Sequence, residues 1–168
     1  MLMASMNPCK CGYFGDESRA CTCTPQQVHH YRQKISGPLL DRIDIQVEVA
    51  SVKYEELSES TRGETSAEIK ERVNRTRKIQ TDRYKDYPGI YSNSQLTPSM
   101  IDEFCKLGER ESAVLKAAFE RLNLSARAYS RILKVARTIA DLEEAENITV
   151  SHIAEAIGYR SLDKKYFG

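Results

Sequence analysis

The feature that most constrains the fold is a series of helix starts in the second half of the chain, each followed by apolar residues at helical spacing. The segment Thr65-Ser66-Ala67-Glu68 is a capping box, and Thr97, Ser125 and Thr149 stand at the same position before later apolar runs. A Ser or Thr at this position satisfies backbone N–H groups that the first helical turn leaves without partners. From residue 65 onward the sequence therefore predicts helices joined by short connections.

The first fifty residues follow a different pattern. Residues 1–6 are apolar and resemble the end of a buried strand, and Thr24-Pro25-Gln26-Gln27 predicts a short helix that runs to about Lys34. Residues 43–49 alternate apolar and polar, which is typical of a half-buried strand. Residues 51–63 are polar, and we interpret them as a linker.

The composition excludes a membrane span and leaves nucleic-acid binding open. The 168 residues contain no apolar run of the length, about 18 residues, that a transmembrane helix requires. The first residues lack the basic start and the apolar length of a signal peptide, so a cytoplasmic location is expected. Because 25 basic residues face 24 acidic ones, only a local basic patch would indicate a nucleic-acid partner.

Four of the five cysteines lie close together in the sequence. Cys9 and Cys11 form one C-x-C pair, and Cys21 and Cys23 form a second. Four thiolates can surround a Zn²⁺ ion tetrahedrally if the intervening loop brings the pairs together, and Gly12 and Gly15 would allow that reversal. The alternative is four reduced cysteines in a surface loop, since C-x-C is less usual than C-x₂-C in zinc sites. Cys105 stands among apolar helical positions, which predicts a core residue.

Three further residues are candidates for a phosphate site, each with an ordinary alternative. Asn7 follows the apolar start, where a carboxamide can orient water or phosphate, or merely form a turn before Pro8. Arg42 precedes the alternating segment and either projects to a neighbouring subunit or pairs with a nearby aspartate. Arg127 lies in a first helical turn, where the helix dipole disfavours a cation unless an anion is near; the alternative is a solvated side chain.

Two observations limit what the chain can do by itself. The predicted helix at 66–84 is rich in Lys and Arg, which suits either a nucleic-acid backbone or a solvated face. No phosphate-binding G-x-x-x-x-G-K-[ST] motif is present, because none of the eight glycines precedes a lysine.

Several motifs in order resemble the ComM/YifB branch of the magnesium-chelatase-like AAA+ ATPases. They are Met6-Asn7-Pro8-Cys9-x-Cys11-Gly12-Tyr13, Gly15-Asp16, Cys21-x-Cys23, Ile35-Ser36-Gly37-Pro38-Leu39-Leu40-Asp41-Arg42-Ile43-Asp44-Ile45 and Leu124-Ser125-Ala126-Arg127-Ala128. The resemblance covers essentially the whole chain. Lys10 departs from the family pattern, which usually has Pro there.

The resemblance implies a role for each candidate. Asn7 is similar to the sensor-1 residue that positions the attacking water, and Arg42 to the arginine finger supplied to a neighbour's ATP. Arg127 is similar to the sensor-2 arginine that reads the γ-phosphate. Asn7 and Arg42 would thus be catalytic, Arg127 would bind the nucleotide, and the four cysteines would be the metal ligands.

The same resemblance implies an architecture and partners. The expected fold is mainly α: a helical AAA+ lid domain at 64–168 and, at 1–50, a truncated remnant of an α/β AAA+ core with one or two short strands. The intact protein is expected to bind ATP and Mg²⁺, assemble into a hexameric ring and act on DNA during branch migration, whereas this chain alone would not hydrolyse ATP. The alternatives are a zinc-stabilised nucleic-acid-binding or protein-interaction module and a magnesium chelatase subunit.

Overall fold

A computed structural model describes residues 2–50 and 63–160. These residues form two compact units, one of residues 2–50 and one of residues 63–160. The predicted linker at 51–63 lies outside the described residues except for Gly63, as do the last eight residues of the predicted lid domain. The domain boundaries therefore stay a prediction.

The first unit contains two short helices in its described part, α1 (Pro25–Arg32) and α2 (Gly37–Leu40). The predicted start of α1 is confirmed, because the Thr24 hydroxyl accepts the Gln27 N–H at 3.3 Å and the Gln27 side chain accepts the Thr24 N–H at 3.0 Å. The helix ends two residues before the expected Lys34. Local capping chemistry thus determines where α1 begins.

The strands predicted at 1–6 and 43–49 are wrong for the residues that the structure describes. Residues 2–6 and 43–49 contain no strand, and the side chains of Met3 and Val49 are 83% and 86% exposed. Alternation favours an extended chain, but a strand also needs a second strand to accept and donate its backbone hydrogen bonds. The Ile43 N–H donates to the Leu40 carbonyl at 2.9 Å, which is a turn at the end of α2 and not a pairing of strands.

The second unit is helical throughout its regular structure, which confirms the mainly α fold and the helical lid domain. Its elements are α3 (Ser66–Arg83), a 3₁₀ turn (Asn93–Gln95), α4 (Pro98–Phe104), α5 (Glu109–Leu122), α6 (Ala126–Leu142) and α7 (Val150–Gly158). The capping box at Thr65 is also confirmed, because Thr65 and Glu68 exchange hydrogen bonds in both directions.

Helix α6 is the central element of this unit. Its buried face includes Ile132, Leu133 and Ala136, at helical spacing, and it packs against α3, α4, α7 and the 3₁₀ turn. Cys105 joins the same core at 3% exposure, as predicted from its apolar surroundings. Burial of this amphipathic face is the main stabilising contribution to the helices, which are too short to be stable alone.

A tight turn sets the start of α6. Asn123 ends α5 in the left-handed conformation at φ 48°, which Asn tolerates better than most residues. Two residues later Ser125 caps α6, and its hydroxyl accepts the Ala128 N–H at 3.2 Å. The short connection therefore holds the first turn of α6, including Arg127, in a defined place beside the end of α5.

Candidate functional site

The four cysteines of the first unit converge on one point. Their sulfur atoms all lie within 4.8 Å of one another. The Sγ of Cys9 is 3.3 Å from that of Cys11 and 3.7 Å from that of Cys21, and Cys11 and Cys21 are 3.5 Å apart. These distances are far longer than a disulfide bond of about 2.05 Å. They are close to the edge of about 3.8 Å that follows for a tetrahedron of sulfurs with Zn–S distances of about 2.3 Å.

Two glycines shape the loop that brings the cysteines together. Gly12 has φ +89° and donates its N–H to the carbonyl of Cys9 at 3.1 Å, which closes a turn around the first pair. Gly15 has φ +83° and precedes Asp16, whose carboxylate accepts the N–H groups of Ser18 and Arg19. A side chain other than that of glycine is strained at both positive φ values. The reversal predicted from these glycines is confirmed.

Backbone groups and neighbouring thiols give the sulfurs unequal acidities. The Tyr13 N–H is the main cause that lowers the pKa of Cys11 to about 5. The Cys23 N–H lowers the pKa of Cys21, but burial and the neighbouring Cys11 and Cys9 outweigh it and raise that pKa to about 12. Four sulfurs this close cannot all ionise unless a cation compensates their charge. A divalent ion removes this obstacle, because it binds thiolates and displaces their protons.

The donor set suits a structural zinc site. Four cysteine sulfurs fill the tetrahedral positions that Zn²⁺ prefers, which leaves no ligand position for substrate. Cys9 is fully buried, and the other three ligands are half-buried. In the described part of the chain, these four cysteines are the group of His, Cys, Asp or Glu side chains that lies close enough together to hold a metal ion.

Helix α1 supports the loop from one side. The Arg32 Nε donates to the carbonyl of Pro8 at 3.1 Å, and its guanidinium lies 4.5 Å from the centre of the Phe14 ring. On the loop itself the guanidinium of Arg19 stacks on Tyr13 and donates to its hydroxyl at 2.9 Å. The two arginines therefore hold the aromatic residues of the loop through cation–π contacts.

Asn7 lies immediately before this loop with an exposed side chain. Its carboxamide lies beside Gly12, where an added Cβ atom would be 3.8 Å from the Nδ2 atom of Asn7. The carboxamide forms no hydrogen bond with a described residue, so its donor and acceptor face outward. This arrangement is compatible with a water or phosphate partner.

Arg42 follows α2 directly and is also exposed. Its backbone N–H donates to the carbonyl of Leu39 at 3.0 Å, which continues the turn of α2. Within the described part of the chain its guanidinium forms no ion pair with Asp41 or Asp44, the alternative that the sequence left open. The side chain is therefore accessible to another molecule.

Arg127 is the second residue of α6 and is exposed. The first turn of α6 contains no acidic residue, so the positive end of the helix dipole and the Arg127 cation lie together without a compensating carboxylate in that turn. Such a combination is favourable for an anion. Asn7 and Arg42 belong to the first unit, with no hydrogen bond between their side chains, and Arg127 belongs to the second.

The basic residues of α3 are partly paired with acids. Arg72 pairs with Glu64, Arg75 with Glu71 and Glu144, and Arg83 with Asp141. Lys70, Arg77 and Lys78 are exposed and form no ion pair with a described residue. The positive stripe predicted from the sequence is therefore reduced to a smaller set of side chains.

A buried polar network surrounds Asp141, and it was not predicted from the sequence. This carboxylate is 1% exposed and accepts hydrogen bonds from Arg83 at 2.8 Å, from Asn93 at 2.8 Å and from Arg137 at 3.1 Å. Arg137 also donates to the carbonyls of Ala145 and Glu146, which follow α6. The feature of the sequence that could have indicated this network is that Arg137 and Asp141, four residues apart, both lie on the apolar face of α6.

No helix in the described ranges is both long and apolar enough to cross a membrane.

Comparison with known proteins gives two family matches. The model described as magnesium chelatase, subunit ChlI C-terminal, matches residues 63–160, and that described as magnesium chelatase, subunit ChlI, matches residues 1–57. Competence protein ComM of Haemophilus influenzae is 41% identical over 163 residues, which are 96% of this chain and 30% of ComM. YifB of Escherichia coli is 39% identical over 165 residues, 97% of this chain and 31% of YifB.

The fold and the sequence matches define a magnesium-chelatase-like protein with a helical lid domain and a four-cysteine loop. The chain belongs to the magnesium chelatase ChlI C-terminal family, and its resemblance to the ComM and YifB proteins is confirmed. It spans about 30% of the length of these curated relatives.

Proposed function

We propose that this chain is the C-terminal part of an oligomeric AAA+ ATPase that couples ATP hydrolysis to DNA remodelling or branch migration. Family membership supports this proposal, and so does the similarity to a protein named for competence. The phosphate-binding loop and the Mg²⁺ ligands would come from a part of the protein outside this sequence. The chain itself would contribute Asn7, Arg42, Arg127 and the four-cysteine loop.

The observation that carries the proposal is the exposed cation at the start of α6. Arg127 and the backbone N–H groups of this helix start present positive charge together, and no acid in the first turn compensates it. Such an arrangement costs stability unless an anion binds there. In the proposed function that anion is the γ-phosphate of ATP, which Arg127 would bind as the sensor-2 residue.

Asn7 and Arg42 would act during hydrolysis. The outward-facing carboxamide of Asn7 can accept a hydrogen bond from the attacking water and thus orient it. The accessible guanidinium of Arg42 would stabilise the charge that develops on the transferred phosphoryl group of a neighbouring subunit. This requirement for a neighbour implies a ring, which we propose to be a hexamer.

A structural Zn²⁺ ion would be held by Cys9, Cys11, Cys21 and Cys23. The spacing of their sulfurs and the charge that the cluster cannot carry alone support this proposal. The ion would supply fold stability to the loop and no reactive position, because its four ligands complete the coordination.

A second candidate function is favoured by the wording of the family descriptions, which name magnesium chelatase. In that case the same ATP-driven machinery would act on metal insertion instead of DNA. Stimulation of ATP hydrolysis by DNA separates the two candidates, because only a DNA-remodelling motor is expected to respond. We favour the DNA function because a relative that matches 96% of this chain, ComM, is named as a competence protein.

Arg127→Ala in the intact protein tests the proposal. We expect ATP turnover to fall by about 10²–10³-fold, the usual effect of removing one group that stabilises transition-state charge. Arg110→Ala is the matched control, since Arg110 is an exposed arginine near the start of α5 and should leave turnover unchanged. Equal turnover of wild-type protein and the Arg127 variant would contradict the sensor role.

A further inference from the structure

Asn7 lies beside the turn that carries the first cysteine pair. A Cβ atom placed on Gly12 would lie 3.8 Å from the Nδ2 atom of Asn7 and 3.9 Å from its Cγ atom, at ordinary van der Waals distance. The carboxamide thus occupies the space next to the main chain of Gly12 that a side chain at position 12 would enter. The direction of the carboxamide therefore depends on the conformation of the Gly12 turn.

The Gly12 turn is also the turn that positions the metal ligands. Gly12 follows Cys11 and donates its N–H to the carbonyl of Cys9 at 3.1 Å. The φ of Gly12, +89°, sets the direction in which the chain leaves this turn towards Cys21 and Cys23. The same turn therefore joins the two cysteine pairs and lies beside Asn7.

The main chain next to Asn7 is held on its other side by helix α1. The Arg32 Nε donates to the carbonyl of Pro8 at 3.1 Å. Pro8 thus has a fixed anchor, whereas the Asn7 side chain forms no hydrogen bond with a described residue. Gly12 is the residue of the turn beside which this carboxamide lies.

We propose that the four-cysteine loop is the positioning device of Asn7: a Zn²⁺ ion bound by its four sulfurs fixes the Gly12 turn and thereby the direction of the carboxamide. Without the ion, the close sulfurs provide no attraction that holds the loop closed, and the turn samples other conformations. The consequence for ATP hydrolysis rests on the proposed function. The coupling between ion and carboxamide is a property of this chain alone.

Nuclear magnetic resonance of the ¹⁵N-labelled chain tests the coupling directly. The Asn7 side-chain NH₂ signals are assigned by their loss in Asn7→Ser, and their heteronuclear NOE is measured during titration of the metal-free, reduced protein with zinc. We expect the carboxamide to change from mobile to rigid at one equivalent of zinc. A carboxamide that stays mobile after the ion is bound, or a chain that binds no zinc, would overturn the proposal.

Two glycine substitutions separate contact from backbone strain. Gly12→Asn and Gly15→Asn place the same side chain at φ values of +89° and +83°, but only position 12 faces Asn7, since nothing lies within 4 Å of the Gly15 Cβ position. Asn is the non-glycine residue best suited to positive φ. With zinc bound to both, we expect Gly12→Asn to shift the Asn7 signals and Gly15→Asn to leave them in place. Equal responses would contradict the role of Gly12.

The heteronuclear NOE of the Asn7 carboxamide tests this inference separately from the proposed function, because the measurement involves no nucleotide. If zinc rigidifies the Asn7 carboxamide while Asn7→Ser leaves ATP turnover of the intact protein unchanged, the coupling stands and the sensor-1 role fails. If Asn7→Ser abolishes turnover while zinc has no effect on the carboxamide, the sensor role stands and the positioning role of the loop fails.

Discussion

At the scale of single residues, the cysteines divide into two kinds. Cys9, Cys11, Cys21 and Cys23 face one another in a polar loop, whereas Cys105 lies in the helical core, where burial raises its pKa to about 11. A thiol with so high a pKa is almost entirely protonated at neutral pH and reacts slowly. Sequence clustering predicted this division, because four cysteines within fifteen residues have no common packing role and one among apolar helical positions does.

Cys11→Ser tests the metal site. Serine retains the size of the side chain but removes a thiolate ligand, and three sulfurs bind Zn²⁺ much more weakly than four. We expect elemental analysis of the purified protein to fall from one zinc per chain to almost none. Cys105→Ser is the control and should retain one zinc per chain; equal zinc content in wild-type protein and Cys11→Ser would contradict the assignment.

At the scale of helices and strands, predictions that depended on neighbouring residues succeeded, and predictions that depended on a distant segment did not. The starts of α1 and α3 followed from capping boxes at Thr24 and Thr65, whose partners lie three residues away in the sequence. The strand predicted at 43–49 depended on a partner that the alternating pattern does not identify, and it is not formed. These two helix starts were predictable because the deciding hydrogen bond spans a single turn, whereas Thr97 at the start of α4 forms no such side-chain bond.

The Asp141 network makes the connection between α3 and α6 sensitive to charge. Asp141→Asn would leave the buried Arg137 and the partly buried Arg83 without their shared carboxylate. Breaking a buried ion pair on one side costs about 3–5 kcal/mol. We expect that loss in the free energy of unfolding, measured by urea titration.

Asp102→Asn, on the exposed surface of α4, is the matched control and should change the free energy of unfolding by less than about 0.5 kcal/mol. Equal stability of the two variants would show that the network does not hold α3 to α6.

At the scale of the whole molecule, the roles of Asn7, Arg42 and Arg127 stay predictions that rest on the resemblance to the family. Asn7, Arg42 and Arg127 each had an ordinary alternative as isolated residues, and only the ordered motifs gave them roles. The structure adds that Arg42 is exposed without an ion pair to its neighbouring aspartates, and that the first turn of α6 carries Arg127 without an acid. The proposed function brings these residues to a phosphate only in an assembly of several chains, which is why neither the sequence pattern nor the packing of one chain could establish it.

Subunit mixing tests most directly whether Arg42 serves the ATP of a neighbour. Intact protein with Arg42→Ala is mixed with intact protein whose phosphate-binding lysine is replaced, and ATP turnover is followed against Lys34→Ala as a control for loss of an exposed cation. Each inactive variant alone should be reduced by about 10³-fold or more. The account predicts that the mixture regains turnover, because a subunit lacking Arg42 keeps its own nucleotide site and receives the arginine from its neighbour. A mixture no more active than its components, or full turnover of Arg42→Ala alone, would contradict it.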